Sequence, residues 1–168
     1  MAIRLNADDF WEFSLALYCR EAVAAACLSL QDRRGADVNL LLAICWLARS
    51  GYVTSEAALG AARDAAAPWS DAVLKPLRFV RRRLSAEFEE VAAADRQSIK
   101  HGLLAVELEA ERISQQKIVA ALAAHVGSLS TEPARDLART SLDLYVGSLG
   151  EAGDEQDRKD LAAILACL

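Results

Sequence analysis

The chain has 168 residues, enough for one domain with a continuous core. Hydrophobic content is 54% but aromatic content only 6%; alanine carries much of the apolar count and β-branched residues are sparse, so an all-α fold is expected. A net charge of −5 and a pI near 5.1 exclude general nucleic-acid binding, which needs a basic footprint.

In chain order, Asp8 or Asp9 is placed to cap a first helix with Phe10, Phe13 and Leu17 on one face and Trp11 and Tyr18 beside it. A second helix, about 21–32, buries Val23, Cys27 and Leu30, and Gly35 breaks it. Asp37 caps a third, whose inner face is Leu41, Leu42 and Cys45 with Trp46 flanking, and Gly51 supplies a left-handed stop. Thr54 opens a short alanine-rich helix that ends before Pro68. Residues 69–90 read as a longer helix kinked by Pro76, which lacks a backbone donor. The pattern shifts phase over 92–97, so a break is expected there. A long central helix follows from about Ser98 to His125 and stops at Gly127. Thr131 with Pro133 marks another start, and that helix ends near 147–150. The polar linker GEAGDEQD leads to a short last helix with Leu161, Ile164 and Leu165. The reading is a compact all-α bundle of seven or eight helices. Residues 1–150 form the helical domain, and 151–168 are a linker and short helix packing on it. No internal repeat or β-hairpin signal is present.

MAIRLNADDFWEF lacks the basic and apolar regions of a signal peptide, and the longest apolar run, 40–48, is far short of the roughly 20 residues that span a bilayer. Cys19, Cys27, Cys45 and Cys167 have no CxxC spacing and fall in apolar helical segments, so buried reduced thiols are expected. These features predict a cytoplasmic protein with no membrane insertion, no metal and no cofactor.

Two helices carry polar groups where apolar ones belong. At about 100° per residue, Val73, Leu74, Val80, Leu84 and Phe88 fall within about 60° of Leu77, and Arg81 falls inside that arc. Lys75, Arg78 and Arg82 lie on the adjoining face. An arginine among core positions keeps its proton, so it needs a carboxylate or an anion, or must snorkel. On the long helix, Leu104, Leu108, Ile118 and Leu122 form a stripe with Glu111 and Gln115 in its middle and Glu107 on its edge. Leu103, Val106 and Ile113 cover the opposite side, so this helix is open to contact on two faces, one of them available to a homodimer.

Between the second and third helices sits a further cluster, Gln31, Asp32, Asp37 and Asn39. The expectation is that Arg81, Glu111 and this cluster converge into one buried network. Such a network fixes helix packing, or it lines a pocket for a polar or anionic ligand. For Asp37 alone, helix capping is the favoured role. The run RFVRRRL offers Arg78, Arg82 and Arg83 to an acidic partner or phosphate, although Glu87, Glu89 and Glu90 balance it as a solvated face.

Catalytic templates fail. His101 and His125 have no ExxH or HxxxH spacing, and GADVN and GAARD are not phosphate loops. Glu107 and Glu111 are spaced i,i+4 beside Arg112, as in an ordinary salt-bridged helix. No catalytic residue is nominated, and the reading leans away from an enzyme.

The segment FWEFSLALYCREAVAAACLSLQDRRGADVNLLLAICWLA resembles the N-terminal signature of a family of uncharacterised proteobacterial proteins, FSLxLY…ACLxLQDxxGxDVNLLL. WSDAVLKPLRFVRRRL and VELEAERI resemble the same family's later blocks, and the likeness covers roughly residues 10–116. The pattern positions include Gln31, Asp32, Asp37, Asn39, Trp69, Pro76, Arg78, Arg82 and Glu107. The chain departs from it after Tyr18, where a Pro-Gly pair is usual and Arg20-Glu21-Ala22 stand instead. The resemblance implies a small bacterial cytoplasmic protein of unknown function with no catalytic residues to carry over.

The leading expectation is a non-enzymatic module that binds a protein partner through a groove or an exposed helix face. The alternative is a small-molecule binder or enzyme with a polar pocket around Arg78, Arg81, Glu111 and Asp32 or Asp37. Candidate binding residues are Gln31, Asp32, Asp37, Asn39, Arg78, Arg81, Arg82, Glu107 and Glu111.

Overall fold

The computed structural model describes residues 5–85, 88, 90–125, 127–150 and 153–168. Among these, eight α-helices and one π-helical turn make an all-α fold with no strands. They are α1 (Ala7–Tyr18), α2 (Glu21–Arg34), α3 (Val38–Arg49), α4 (Glu56–Trp69), the π turn (Ser70–Leu74), α5 (Lys75–Arg83), α6 (Ala93–Ala123), α7 (Ala134–Gly147) and α8 (Glu155–Leu165).

Helix α3 is the hub. Every residue from Asn39 to Ala48 is buried, so the expected single inner face is a helix enclosed all round. Asp37 caps it by accepting the Asn39 N–H at 2.8 Å. Phe10 of α1 stacks on Trp46 with ring centroids 5.1 Å apart. Around α3 lie α1, α2, α4, α6 and α7, while α8 packs on α2 and α7. Gly35 ends α2 in the left-handed region at φ 68°, which frees the chain to turn directly into the Asp37 cap. An isolated antiparallel bridge, Tyr52 to Leu129, ties the loop after α3 to the loop after α6. Among the described residues, no single helix is long and apolar enough to cross a membrane.

Several boundaries differ from the sequence expectation. Asn6, one residue before the helix, caps α1 by accepting the Asp8 N–H at 3.0 Å. Ser55 rather than Thr54 caps α4. Helix α4 runs through Pro68, because Trp69 is anchored beyond it by an indole N–H bond to the Ala110 carbonyl, 2.9 Å. The π turn then carries the chain into α5 without a break, and the widened turn accommodates the donor that Pro76 lacks. Helix α5 stops at Arg83; Ala86, Glu87 and Glu89, placed in that helix by periodicity, lie outside the described residues. Helix α6 starts at Ala93, five residues before the expected Ser98, so 93–97 of the expected break are the first turn and more of a 31-residue helix. Cys27 and Cys45 are buried free thiols, and burial pushes Cys27 up to about 12. Cys19, at the turn after α1, is exposed and Cys167, past the end of α8, only half-buried, because neither lies within a packed helix face.

The short C-terminal helix is locked on by charge. Asp154 and Asp157 form a capping box, and Arg33 and Arg34 of α2 reach both. Arg33 also meets Asp160 at 2.8 Å. Burial works against the Asp157 carboxylate, but the Arg34 guanidinium, the Asp154 N–H and Arg33 outweigh it and hold the group below its usual range. A carboxylate lowered in the folded state stabilises the fold fully above its unfolded pKa of about 3.9. That contribution is lost as pH falls through the folded value. Urea midpoints measured from pH 7 to pH 3 are expected to be lower for Asp157→Asn at neutral pH and to fall less steeply in acid than wild type. Parallel acid limbs would refute the assignment.

Candidate functional site

Helix α5 buries none of its residues. Two arginines hold it to α6. Arg81 Nε donates to Glu107 at 2.6 Å and its Nη2 to the other carboxylate oxygen at 3.1 Å, a bidentate pair. One turn back, Arg78 donates to Glu111 and lies 3.6 Å from Glu107. The order 78 to 111 and 81 to 107 makes α5 and α6 antiparallel. The hydrogen bonds to Glu107 raise the Arg81 pKa further, so this guanidinium stays charged.

The ladder continues into the core. Asn39 donates from its amide to the second oxygen of Glu111 and accepts from Gln115 Nε2 at 2.9 Å. Gln115 Nε2 also reaches Ser14 Oγ at 3.0 Å, and Ser14 donates to the Trp11 carbonyl at 2.8 Å. Asn39, Gln115 and Ser14 are buried. Gln31 closes the top, its side-chain oxygen 3.4 Å from Arg78 Nη1. One chain of hydrogen bonds thus joins α5, α6, α3, α1 and α2.

This chain is the floor of a groove of about 630 Å³, walled by α1 and α2 on one side and by α5 and α6 on the other. Its lips are apolar: Leu15 and Leu28 face Leu104 and Leu108, exposed by 46%, 44%, 46% and 49%. Trp11 closes one end, with the Arg112 guanidinium 5.9 Å above its ring and paired to Asp8 at 3.0 Å. Tyr18 lines the groove, and its phenol is pushed up chiefly by burial, with Cys27 adding and Arg78 opposing. A second hollow of about 620 Å³ adjoins the first and shares Gln31, Asp32, Arg78 and Arg82 with it.

The predicted residues therefore divide. Gln31, Asn39, Arg81 and Glu111 join one network, as expected, but Arg78 and Glu107 belong to it as well, and the pairings are Arg81–Glu107 and Arg78–Glu111 instead of Arg81–Glu111. Helical geometry explains this: Arg81 lies one turn nearer the α5–α6 connection, level with Glu107. Arg78, expected to be exposed, is paired, with 18% of its side chain accessible. Asp37 meets the ladder only through the backbone N–H of Asn39, which it caps, and its own N–H donates to the Tyr145 hydroxyl at 2.9 Å; it lines the second hollow and not the groove. Burial raises its carboxyl, against the Asn39 N–H. Asp32 and Arg82 are exposed on the wall between the hollows and make no ion pair among the described residues.

Leu104 and Leu108, expected in the core stripe with Ile118 and Leu122, line the groove instead; only the latter two are buried. Val80 and Phe88 of the expected α5 arc are likewise exposed. Sequence reasoning missed Ser14, Leu15 and Leu28. Ser14 carried a usable signal, a lone hydroxyl between Phe10 and Leu17 on the inward arc of α1.

A double-mutant cycle tests the pairing. Arg81→Met and Glu107→Leu are each expected to cost about 1–2 kcal/mol, since water at the edge of the pair screens it. The double variant is expected to cost less than the two together. Additive losses in urea denaturation would refute it.

No curated protein and no solved structure matches the chain. A family profile does match, over residues 9–118, a span that holds every wall of the groove and every member of the ladder, and the chain belongs to the family described as "Protein of unknown function (DUF2390)".

Proposed function

We propose that this is a non-enzymatic interaction module, a bacterial cytoplasmic protein that receives an amphipathic helix of a partner protein in the groove between α1, α2, α5 and α6. The observation that supports the reading is the placement of Leu15, Leu28, Leu104 and Leu108, each close to half exposed, along both lips of one trough. Completing the burial of a half-exposed leucine is worth about 1 kcal/mol, so four of them reward a ligand that presents an apolar stripe. The floor is electrically satisfied by its own pairs. What remains for the partner is Arg82 and Asp32, opposite charges at the edge of the groove. They fit an acidic and a basic residue beside the apolar stripe, the usual grammar of a helix in a groove.

The alternative is a small anionic or polar ligand. It is favoured by the size of the hollow, within the range of about 300–1,000 Å³ typical of such sites, and by the convergence of polar side chains on its floor.

Selection of a displayed peptide library against the wild-type protein tests the leading reading. Enriched peptides are expected to read as amphipathic helices and to lose at least about tenfold in affinity against Leu104→Asp and Leu108→Asp. Both sites are half exposed, so thermal midpoints are expected to stay within about 2 °C of wild type. Peptides that bind all three proteins equally would overturn it. A small molecule retained in native mass spectrometry and released by Arg82→Ala would give the groove to the alternative.

A further inference from the structure

Opposite the groove, α6 presents a second apolar line. Ile99, Val106 and Ile113 recur every seven residues and are exposed by 54%, 54% and 38%. On the helical wheel they lie within about 20° of Val106, while Glu111, Gln115, Leu104 and Leu108 lie at least about 140° away. The line is therefore separate from the groove. Gly102, also exposed, stands beside it and leaves room for close approach of another backbone.

The charges on this face have a symmetry of their own. Asp95 lies eleven residues before Val106 and Lys117 eleven residues after it, and Ile99 and Ile113 lie seven residues to either side. Both charged residues fall within about 20° of the apolar line. Both are exposed and form no ion pair within the described chain. A line symmetric about its midpoint, with opposite charges at its two ends, is complementary to itself when one copy is reversed.

We infer that a second copy of this chain docks here, with the two α6 helices antiparallel about a two-fold axis through Val106. Val106 then meets Val106 of the second copy, Ile99 lies level with Ile113, and Asp95 lies level with Lys117, twice by symmetry. The contact runs over about 33 Å of helix. A parallel arrangement would set Asp95 against Asp95 and Lys117 against Lys117, which like charges disfavour. Half-buried Trp69 flanks the line through its bond to the Ala110 carbonyl and widens the face.

Sedimentation equilibrium over about 1–200 µM tests the dimer, because interfaces at the small end of the range dissociate within it. Wild type is expected to dimerise. Val106→Asp, which sets two carboxylates on the axis, is expected to raise the dissociation constant at least about tenfold. Asp95→Lys and Lys117→Asp are each expected to raise it about threefold to tenfold, and the double variant to return it to within about twofold of wild type. All these positions are exposed, so circular dichroism is expected to be unchanged. In a Cys19→Ser background, oxidised Val106→Cys is expected to cross-link and Ile99→Cys not. A monomer at every concentration, no rescue by the charge swap, or cross-linking at 99 instead of 106 would overturn the proposal.

Discussion

The ion-paired ladder between α5 and α6 is what the groove depends on. Helix α5 contributes no fully buried residue and its Leu77 is only half-buried, so apolar packing alone holds it weakly. Its position follows from two guanidinium–carboxylate contacts, Arg81 on Glu107 and Arg78 on Glu111. The bidentate Arg81–Glu107 pair fixes direction as well as distance, and the single Arg78–Glu111 contact one turn away fixes the helix axis. The π turn before α5 serves the same end. It adds an extra residue to the rod that begins at Glu56 and so turns Arg78 and Arg81 toward α6.

That ladder is anchored by amides. Asn39 and Gln115 are neutral and buried, and they relay hydrogen bonds from Glu111 to Ser14 deep between α1 and α3. Burying neutral amides costs far less than burying ions, so only dipoles continue inward; of the four ions, Glu107 is buried but paired with Arg81, and Arg78, Arg81 and Glu111 keep partial access to water. The result is a floor that is rigid and close to neutral, under lips that are soft and apolar. Under the proposed reading, such a floor would orient a partner without demanding a large charge from it and would leave specificity to Arg82 and Asp32 at the wall.

The legible part of the fold was whatever a local rule decides. Gly35, the Asp37 cap, the burial of Ile118 and Leu122 and the long α6 follow from turn chemistry and periodicity, and the structure agrees with them. Polar residues on apolar arcs also identified Arg81, Glu111 and Gln115 of the ladder, with Glu107 at the edge, while Gln31 and Asn39 stood out as a polar cluster between α2 and α3. The rest was hidden because a helical wheel shows which residues share a face but not what that face meets. Leu104 and Leu108 share an arc with Ile118 and Leu122, yet α6 outruns the core it packs on, so its first half faces the groove and solvent. Pairing was hidden for a similar reason: choosing Glu107 or Glu111 for Arg81 requires the register of α5 against α6, set by a turn and a π insertion that periodicity does not reveal. Pro68 shows the opposite failure, a breaker overruled by the tertiary anchor at Trp69.

The two proposed surfaces constrain each other through the single helix that carries both. Because the groove and the Ile99–Val106–Ile113 line lie on opposite sides of α6, a two-fold contact along the line leaves both grooves open and turns them away from the axis. A partner with one helical segment then fills each groove independently. A partner that is itself dimeric, or that repeats the segment, engages both at once, and the second contact forms at the effective concentration set by its linker. Weak contacts are enough in that arrangement. On the two proposals together, four half-buried leucines and a marginal helix pair, each modest alone, combine into an assembly that is tight only when all of its parts are present.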